Sequence, residues 1–159
     1  MTTGEILNNK LQTVLSGQPW YGRPLTDILN DVTFEAAFER APGGIHTIAE
    51  ILLHIISWQE EIIDRLNEQP AGTPTSGDWP ETGDPSEEKW TRWKDDLKLV
   101  NVNLSGIILN FPQDKWNQPI IDTRETEPIV TYAELIDGAI QHLVYHSAQI
   151  ALLTKLLKG

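Results

Sequence analysis

The stretch QHLVYHSAQIALL, residues 141–153, places His142 and His146 four residues apart inside an apolar helical pattern. Around this stretch, inward positions recur in alternating steps of four and three residues. That spacing defines the seam which a bundle helix turns towards its partners. The seam consists of Leu135, Ala139, His142, His146, Gln149, Leu153 and Leu156. We therefore expect both imidazoles and the Gln149 amide to point into the protein.

A second long helix carries a third inward histidine. Thr47 followed by Glu50 has the spacing of a capping box, and apolar residues recur after it with helical period. The pattern predicts a helix over about residues 47–68. His54 lies among isoleucines and leucines in this helix and shares one seam with Trp58. We expect this imidazole to point inward as well.

The rest of the chain adds helical patterns and no series of strands. Further helices are predicted near residues 6–15, over 86–110 and from 131 to about Lys158, with one or two short ones over 25–42. The loop 70–85 is long enough to suspect a functional role, and the pieces QPII (118–121) and EPIV (127–130) are expected to pair as a small hairpin. The predicted architecture is all-α. It is a four-helix bundle with short extra helical turns between the first two long helices, in one domain over residues 1–159.

Composition excludes several classes of protein. The 159 residues contain no cysteine and carry a net charge of −11, from 23 acidic and 12 basic residues. Disulfides and thiolate ligands are therefore excluded, and nucleic-acid binding is not expected without a basic cluster. No apolar run is long enough for a membrane span, and the N-terminus lacks the features of a signal peptide. We expect a cytoplasmic protein whose partner is a small molecule.

The residues alone leave two interpretations of the histidines open. They are the ligands of a metal ion, or they are buried histidines that hydrogen-bond to other groups of the protein. Four histidines form six pairs, and chance places some pair four residues apart in roughly one such sequence in thirteen. A single inward histidine is more often bonded to a carbonyl or a carboxylate than to a metal. Three buried rings without partners would each cost on the order of 1–3 kcal/mol, whereas one divalent ion satisfies all three. The fourth histidine, His46, lies just before the helix cap and is interpreted as a loop or cap residue.

Two motifs resemble a known family. TIAEILLHIISWQEEI (47–62) contains H-x-x-x-W, and QHLVYHSAQIALL contains H-x-x-x-H-x-x-Q. Together with PWYGRPLTDIL (19–29) and FEAAFERAPGG (34–44), they resemble the DinB-like superfamily of metalloenzymes, which includes the YfiT-type proteins. The similarity extends over nearly the whole chain.

The resemblance implies a divalent ion, nickel or zinc, bound by His54, His142 and His146. It also implies a homodimer and a low-molecular-weight thiol as co-substrate, since characterised relatives include bacillithiol and mycothiol transferases and a mycothiol-dependent maleylpyruvate isomerase. Three imidazoles leave a coordination position open, which is the mark of a catalytic site. A water or a thiol bound there would lose its proton readily.

The expected function is therefore that of a divalent-metal-dependent enzyme. It would be a thiol S-transferase of the bacillithiol type or a hydrolase. Gln149 can hydrogen-bond water or substrate. Glu61, one step beyond Trp58 on its seam, can act as a general base or an extra ligand, with a solvated surface acid as the alternative interpretation. Two other functional hypotheses are a non-enzymatic metal-binding or stress-response binding protein, and a plain bundle whose histidines are structural.

Overall fold

A computed structural model describes residues 1–125 and 128–157, and its regular structure is helical. Its α-helices are α1 (Thr3–Ser16), α2 (Leu25–Asn30), α3 (Phe34–Phe38), α4 (Ile48–Leu66), α5 (Glu87–Asn110) and α6 (Tyr132–Leu157). One turn of 3-10 helix, Gln113–Lys115, follows α5. The all-α prediction is confirmed, and α2 and α3 are the predicted short helices. The predicted end of the last helix at Lys158 lies outside the described residues.

The four long helices pack in a closed ring. Helix α4 lies against α5 and α6, and α1 lies against the same two helices from the opposite corner. The short helices cover gaps, α2 on α1 and α6, and α3 on α4 and α5. The fully buried aliphatic side chains of the core include Leu11, Leu52, Ile55, Leu97, Leu104, Ile108, Leu143 and Ile150. Burying each of them contributes about 1.5–3 kcal/mol, so the bundle is a rigid frame for side chains between α4 and α6.

Polar caps fix where the helices that carry the site begin. Thr131 and Glu134 form a reciprocal capping box at the start of α6. At the start of α4, the Thr47 hydroxyl accepts the N–H of Glu50 as expected (3.1 Å). The Glu50 carboxylate, however, accepts a hydrogen bond from Arg40 (2.6 Å). Each cap satisfies backbone N–H groups that the helix itself leaves free.

The predicted hairpin before α6 is wrong as a pair of strands. The N–H of Ile120 donates to the carbonyl of Val130 (3.0 Å), and the described residues here form one isolated bridge, between Pro119 and Thr131. Proline has no N–H to donate to a ladder, which limits the pairing. Glu127, the first residue of the predicted second strand, lies outside the described residues.

The predicted seam of α6 faces inward in the middle of the helix and is exposed to solvent at its C-terminal end. His146 is buried, but Leu156 is 58% exposed. A straight α-helix drifts by about 20° per heptad relative to a strict seven-residue repeat. Three heptads separate Leu135 from Leu156, so the last position has turned away from the neighbouring helices. In the described part of the chain, no helix combines the length and the apolar character that a membrane span would need.

Candidate metal centre

Helices α4 and α6 bring three histidines together. The Nε2 atom of His142 lies 3.1 Å from Nε2 of His54 and 3.0 Å from Nε2 of His146. The spacing of four residues sets the two rings of α6 on one face, and the packing of α4 on α6 supplies the third ring. His54 and His146 are each 5% exposed, so the three nitrogens meet inside the bundle. The predicted grouping of the three histidines is what the structure shows.

The outer ring nitrogens decide where the imidazole protons lie. The Nδ1–H of His54 donates to the backbone carbonyl of Asp78 (2.5 Å), and the Nδ1–H of His146 donates to the side-chain oxygen of Gln149 (2.6 Å). A neutral imidazole protonated at Nδ1 has a bare lone pair at Nε2. Two lone pairs therefore face the Nε2 atom of His142, which has at most one proton to share between them. A cation at this point satisfies all three nitrogens at once.

The distances fit a divalent transition-metal ion. Nitrogens held about 2.0–2.1 Å from a tetrahedral ion lie roughly 3.3 Å from one another, close to the 3.0 and 3.1 Å found here. Imidazole suits zinc, nickel, copper and iron. Among the residues that the structure describes, no carboxylate or fourth histidine joins this group. The ligand set therefore leaves a position for a small molecule.

Burial keeps the rings in the form that binds metal. Desolvation, helped by the proximity of His146 and His54, lowers the pKa of His142 to about 4. Burial also lowers the pKa of His146, against the opposing effect of its hydrogen bond with Gln149. Only a neutral imidazole has a lone pair to give to a metal. At neutral pH, protons therefore compete weakly for these two rings.

The loop between α4 and α5 forms one wall of the centre. Trp79 is stacked between two histidines, with ring centroids 3.6 Å from His46 and 3.8 Å from His54 and interplanar angles of 5° and 10°. The neighbouring carboxylate of Asp78 accepts the indole N–H of Trp58 (2.7 Å). The ring plane of His54 is thus fixed both by a hydrogen bond and by stacking. His46 forms the outer layer of this stack and stays outside the group of three histidines, as its loop or cap interpretation predicts.

A pocket of about 430 Å³ opens beside the three histidines. It is lined by His54, Trp58, Gln59, Ile62, Asp78, Val130, Glu134, Leu135, Gly138, Ala139 and His142. A larger groove of about 850 Å³ lies against the opposite face of α6, and none of the three histidines lines it. The smaller pocket is therefore the one that opens onto the three histidines.

Glu61, the predicted general base or extra ligand, is engaged elsewhere. Its Oε2 atom accepts hydrogen bonds from the Nε of Arg65 (2.5 Å) and from the backbone N–H of Gly72 (3.1 Å). The guanidinium also donates to the carbonyl of Gly72 (2.9 Å). This ion pair ties the start of the loop to α4. Glu61 is 6% exposed, so it is not the solvated surface acid of the alternative interpretation. It does not line the pocket, and its catalytic role stays a prediction.

Three polar residues of the pocket wall are not among the residues predicted for the site. Gln59 exchanges two hydrogen bonds with the buried amide of Asn101 (3.0 and 2.9 Å). The sequence does contain a signal for this pair, because the polar residue Asn101 interrupts the apolar stripe of α5. Glu134 is identifiable only as a cap, and nothing in the sequence places Asp78 against His54.

Comparison with known proteins gives one family match. The sequence profile of the DinB superfamily matches residues 23–150 of the chain. The matched part runs from just before α2 into α6 and contains His54, His142, His146 and Gln149. No curated protein and no solved structure matches the chain.

Proposed function

Because the chain belongs to the DinB superfamily, we propose that it is a divalent-metal-dependent enzyme that transfers a low-molecular-weight thiol to an electrophilic small molecule. The observation that carries the proposal is the meeting of three imidazole nitrogens beside a largely apolar pocket. His54, His142 and His146 would hold nickel or zinc. When bound, the ion supplies the positive charge that makes a thiol a nucleophile at neutral pH.

The protein's own residues orient the ligands and exclude water. The carbonyl of Asp78 and the amide of Gln149 hold two rings in the tautomer that offers Nε2. Trp58 and Trp79 cover the rings on the side of the loop. In the proposed reaction, the thiol sulfur forms a bond to an electrophilic carbon and the leaving group departs with the electron pair of the broken bond. The thiol proton is released to water.

We prefer thiol transfer to hydrolysis because the carboxylates of Glu61 and Asp78 already accept hydrogen bonds from other groups of the protein. Hydrolysis gains most from a positioned base that takes the proton of the attacking water. The Oε2 atom of Glu61 is occupied by Arg65 and Gly72, and the Oδ1 atom of Asp78 is occupied by Trp58. A thiol ionises near pH 8.5 in water and needs less help to lose its proton. A hydrolase remains the second enzymatic candidate on the same ligand set.

Elemental analysis of untagged protein tests the metal centre. We expect one nickel or zinc ion per chain in the wild type, and loss of the ion in His54→Ala and His142→Ala. The matched control is His46→Ala, which removes the one histidine outside the group and should keep the ion. Metal-free wild-type protein of native helicity would contradict the proposal and support the interpretation of the histidines as structural.

A panel of thiols and electrophiles tests the activity. The metal-loaded protein should consume thiol at a rate that His142→Ala abolishes while the circular dichroism spectrum is retained. Bound metal without turnover of any thiol, or of any ester or amide, would favour the non-enzymatic metal-binding or stress-response protein instead.

We further infer that the enzyme works in the cytoplasm as a homodimer. Low-molecular-weight thiols are kept reduced in the cytosol, which supports that location. An exposed apolar band on α6 and on the loop before α2 supports self-association. It consists of Trp20, Tyr21, Tyr145, Leu152 and Leu156.

A further inference from the structure

A buried glutamine interrupts the largely apolar wall of the pocket beside the three histidines. Gln59 lines this pocket and is 5% exposed. It follows His54 by five residues on α4, which corresponds to about 7.5 Å along the helix axis. A small molecule that reaches the histidines through the pocket therefore also comes within reach of this amide. Binding pockets use a few such polar groups to orient a ligand.

The orientation of the Gln59 amide is fixed from α5. The Nδ2 group of Asn101 donates to the backbone carbonyl of Leu97 (2.8 Å) and to the Oε1 atom of Gln59 (2.9 Å). Because a carbonyl can only accept, the amide of Asn101 must turn its NH2 group towards Leu97. Its Oδ1 atom then faces Gln59 and accepts a hydrogen bond from Nε2 (3.0 Å). The main chain of α5 thus determines which atoms donate and which accept in this cyclic pair of amides.

The cyclic pair leaves one N–H of Gln59 over. A primary amide has two N–H groups. In the described part of the chain, Asn101 uses both of its own, whereas Gln59 uses one. The second N–H of Gln59 lies at the edge of the pair opposite to the one that faces Leu97. Buried donors are rarely left without an acceptor, and an oxygen atom of a ligand in the pocket would supply one.

We propose that Gln59 donates this N–H to a carbonyl oxygen of the electrophile, so that the pocket selects electrophiles that carry a carbonyl group some distance from the reacting carbon. The inference rests on the proposed function and narrows its substrate class. The electrophilic carbon meets the thiol sulfur at the histidines, and the carbonyl lies further along α4, at Gln59. The fixed orientation of the amide means that this N–H is ready to donate before the substrate arrives.

Two unreactive probes of one shape isolate the contribution of the oxygen. They are 4-methylacetophenone and 4-isopropenyltoluene, in which a C=CH2 group replaces the C=O group. Each is titrated into zinc-loaded protein without thiol, and binding is followed in ¹H–¹⁵N NMR spectra of the side-chain amides. We expect the ketone to bind about two- to tenfold more tightly than the alkene. One of the two Gln59 proton resonances should move downfield with the ketone and not with the alkene.

Paired variants assign the preference to Gln59. Gln59→Met combined with Asn101→Leu removes both amides, because loss of one alone would leave a buried polar group unpaired. The two probes should bind equally to this variant, whose spectrum also identifies the Gln59 resonances by their loss. The matched control is Asn8→Leu with Ser105→Ala, which removes a hydrogen-bonded pair between α1 and α5 (2.6 Å) outside the pocket. The control should keep the preference for the ketone.

A reactive pair of the same shape connects binding with turnover. In 4-acetylbenzyl bromide and 4-isopropenylbenzyl bromide, the thiol sulfur bonds to the benzylic carbon, bromide leaves with the electron pair of the C–Br bond, and the thiol proton goes to water. In the paired variant of Gln59 and Asn101, kcat/KM should fall about two- to tenfold for the ketone and stay unchanged for the alkene. Comparing each substrate with itself cancels the difference in their intrinsic reactivities.

Each outcome decides the inference. Equal binding of ketone and alkene to the wild type, or a downfield shift of neither Gln59 resonance, would overturn it while leaving thiol transfer intact. A preference for the ketone that survives in the paired variant, or that the control of Asn8 and Ser105 also loses, would overturn it as well. Turnover of neither bromide with any thiol, by protein shown to hold metal and to bind the ketone at Gln59, would overturn the thiol function and, with it, the assignment of the carbonyl to an electrophile.

Discussion

At the scale of single residues, two hydrogen-bond acceptors determine what the histidine cluster can do. An imidazole offers Nε2 to a metal only if its proton is on Nδ1. The carbonyl of Asp78 and the side chain of Gln149 impose that state on His54 and His146. One acceptor comes from a loop and the other from α6 itself, three residues after the ring that it holds. Gln149 is therefore placed to orient the ring of His146.

Replacing Gln149 should weaken metal binding without unfolding the protein. Gln149→Leu removes the acceptor for the Nδ1–H of His146, so the ring can adopt the wrong tautomer. We expect affinity for zinc or nickel to fall by about 10- to 100-fold, measured by competition with a chromophoric chelator. Gln149→Glu keeps an acceptor and should bind within a few-fold of the wild type.

The matched control for this experiment is Gln141→Leu, on an exposed position of α6 outside the pocket. If Gln149→Leu held metal as tightly as Gln141→Leu, the orienting role of Gln149 would have to be abandoned.

At the scale of elements, the loop between α4 and α5 forms one wall of the site and is held in place by hydrogen bonds from α4. Arg65 and Glu61 bind its start at Gly72. Further along, Ser57 donates to the carbonyl of Gly77 (2.6 Å), and Gly77 has a φ of 92°, a conformation that other residues adopt only with strain. That turn places the carbonyl of Asp78 and the ring of Trp79 against His54. The loop and His54 are therefore one packed unit.

Removing the ring of Trp79 should loosen His54. Trp79→Ala abolishes both stacking contacts, and stacked aromatic pairs contribute about 0.5–1.5 kcal/mol beyond their buried area. We expect metal affinity to fall by about two- to tenfold, and the visible spectrum of the cobalt-loaded protein to change as the ring of His54 reorients. Trp79→Phe restores a flat ring and should recover most of the affinity. An unchanged cobalt spectrum in Trp79→Ala would show that the stack has no influence on the ligand.

Sequence periodicity predicts the bundle and the inward-facing histidines well because both depend on local spacing. Steps of three and four residues place His142 and His146 on one face whatever the rest of the chain does. The same spacing leaves the role of Glu61 open, because Arg65 lies four residues later and forms an ion pair with its carboxylate. The contact of Asp78 with His54 joins residues 24 positions apart through a loop. Its geometry depends on one positive φ and on bonds from α4 that no periodic pattern encodes.

At the scale of the whole molecule, the surface combines strong negative charge with an apolar band. In that band, Trp20 is 103% exposed, Tyr21 53% and Tyr145 62%. These three side chains alone expose on the order of 400 Å² of mostly apolar surface, given 150–250 Å² for each whole aromatic residue. The largest apolar patch of a typical monomer is of this size and is often functional. Leu152 and Leu156 extend the band along α6, towards the roughly 800 Å² per partner of a standard interface.

We propose a second copy of the chain as the occupant of this band. The protruding indole of Trp20 adjoins Tyr21, which lines the groove of about 850 Å³ together with Leu152 and Ala148. One surface thus holds both a projecting ring and an apolar hollow, and a twofold axis makes such a surface complementary to itself. Each chain carries a net charge of −11. An apolar interface keeps the acidic side chains of the two copies from facing one another directly.

Breaking the band should therefore change the mass of the protein in solution. Light scattering after size exclusion should give the wild type twice the chain mass of 17.9 kDa, and Trp20→Ser combined with Tyr145→Ser should give the single chain. Leu99→Ser with Val102→Ser is the matched control, since these side chains are 69% and 70% exposed on α5 and lie outside the band. The control should remain a dimer because α5 lies diagonally across the bundle from α6. A monomeric wild type, or a dimer that survives the loss of Trp20 and Tyr145, would show that this face does not join two copies.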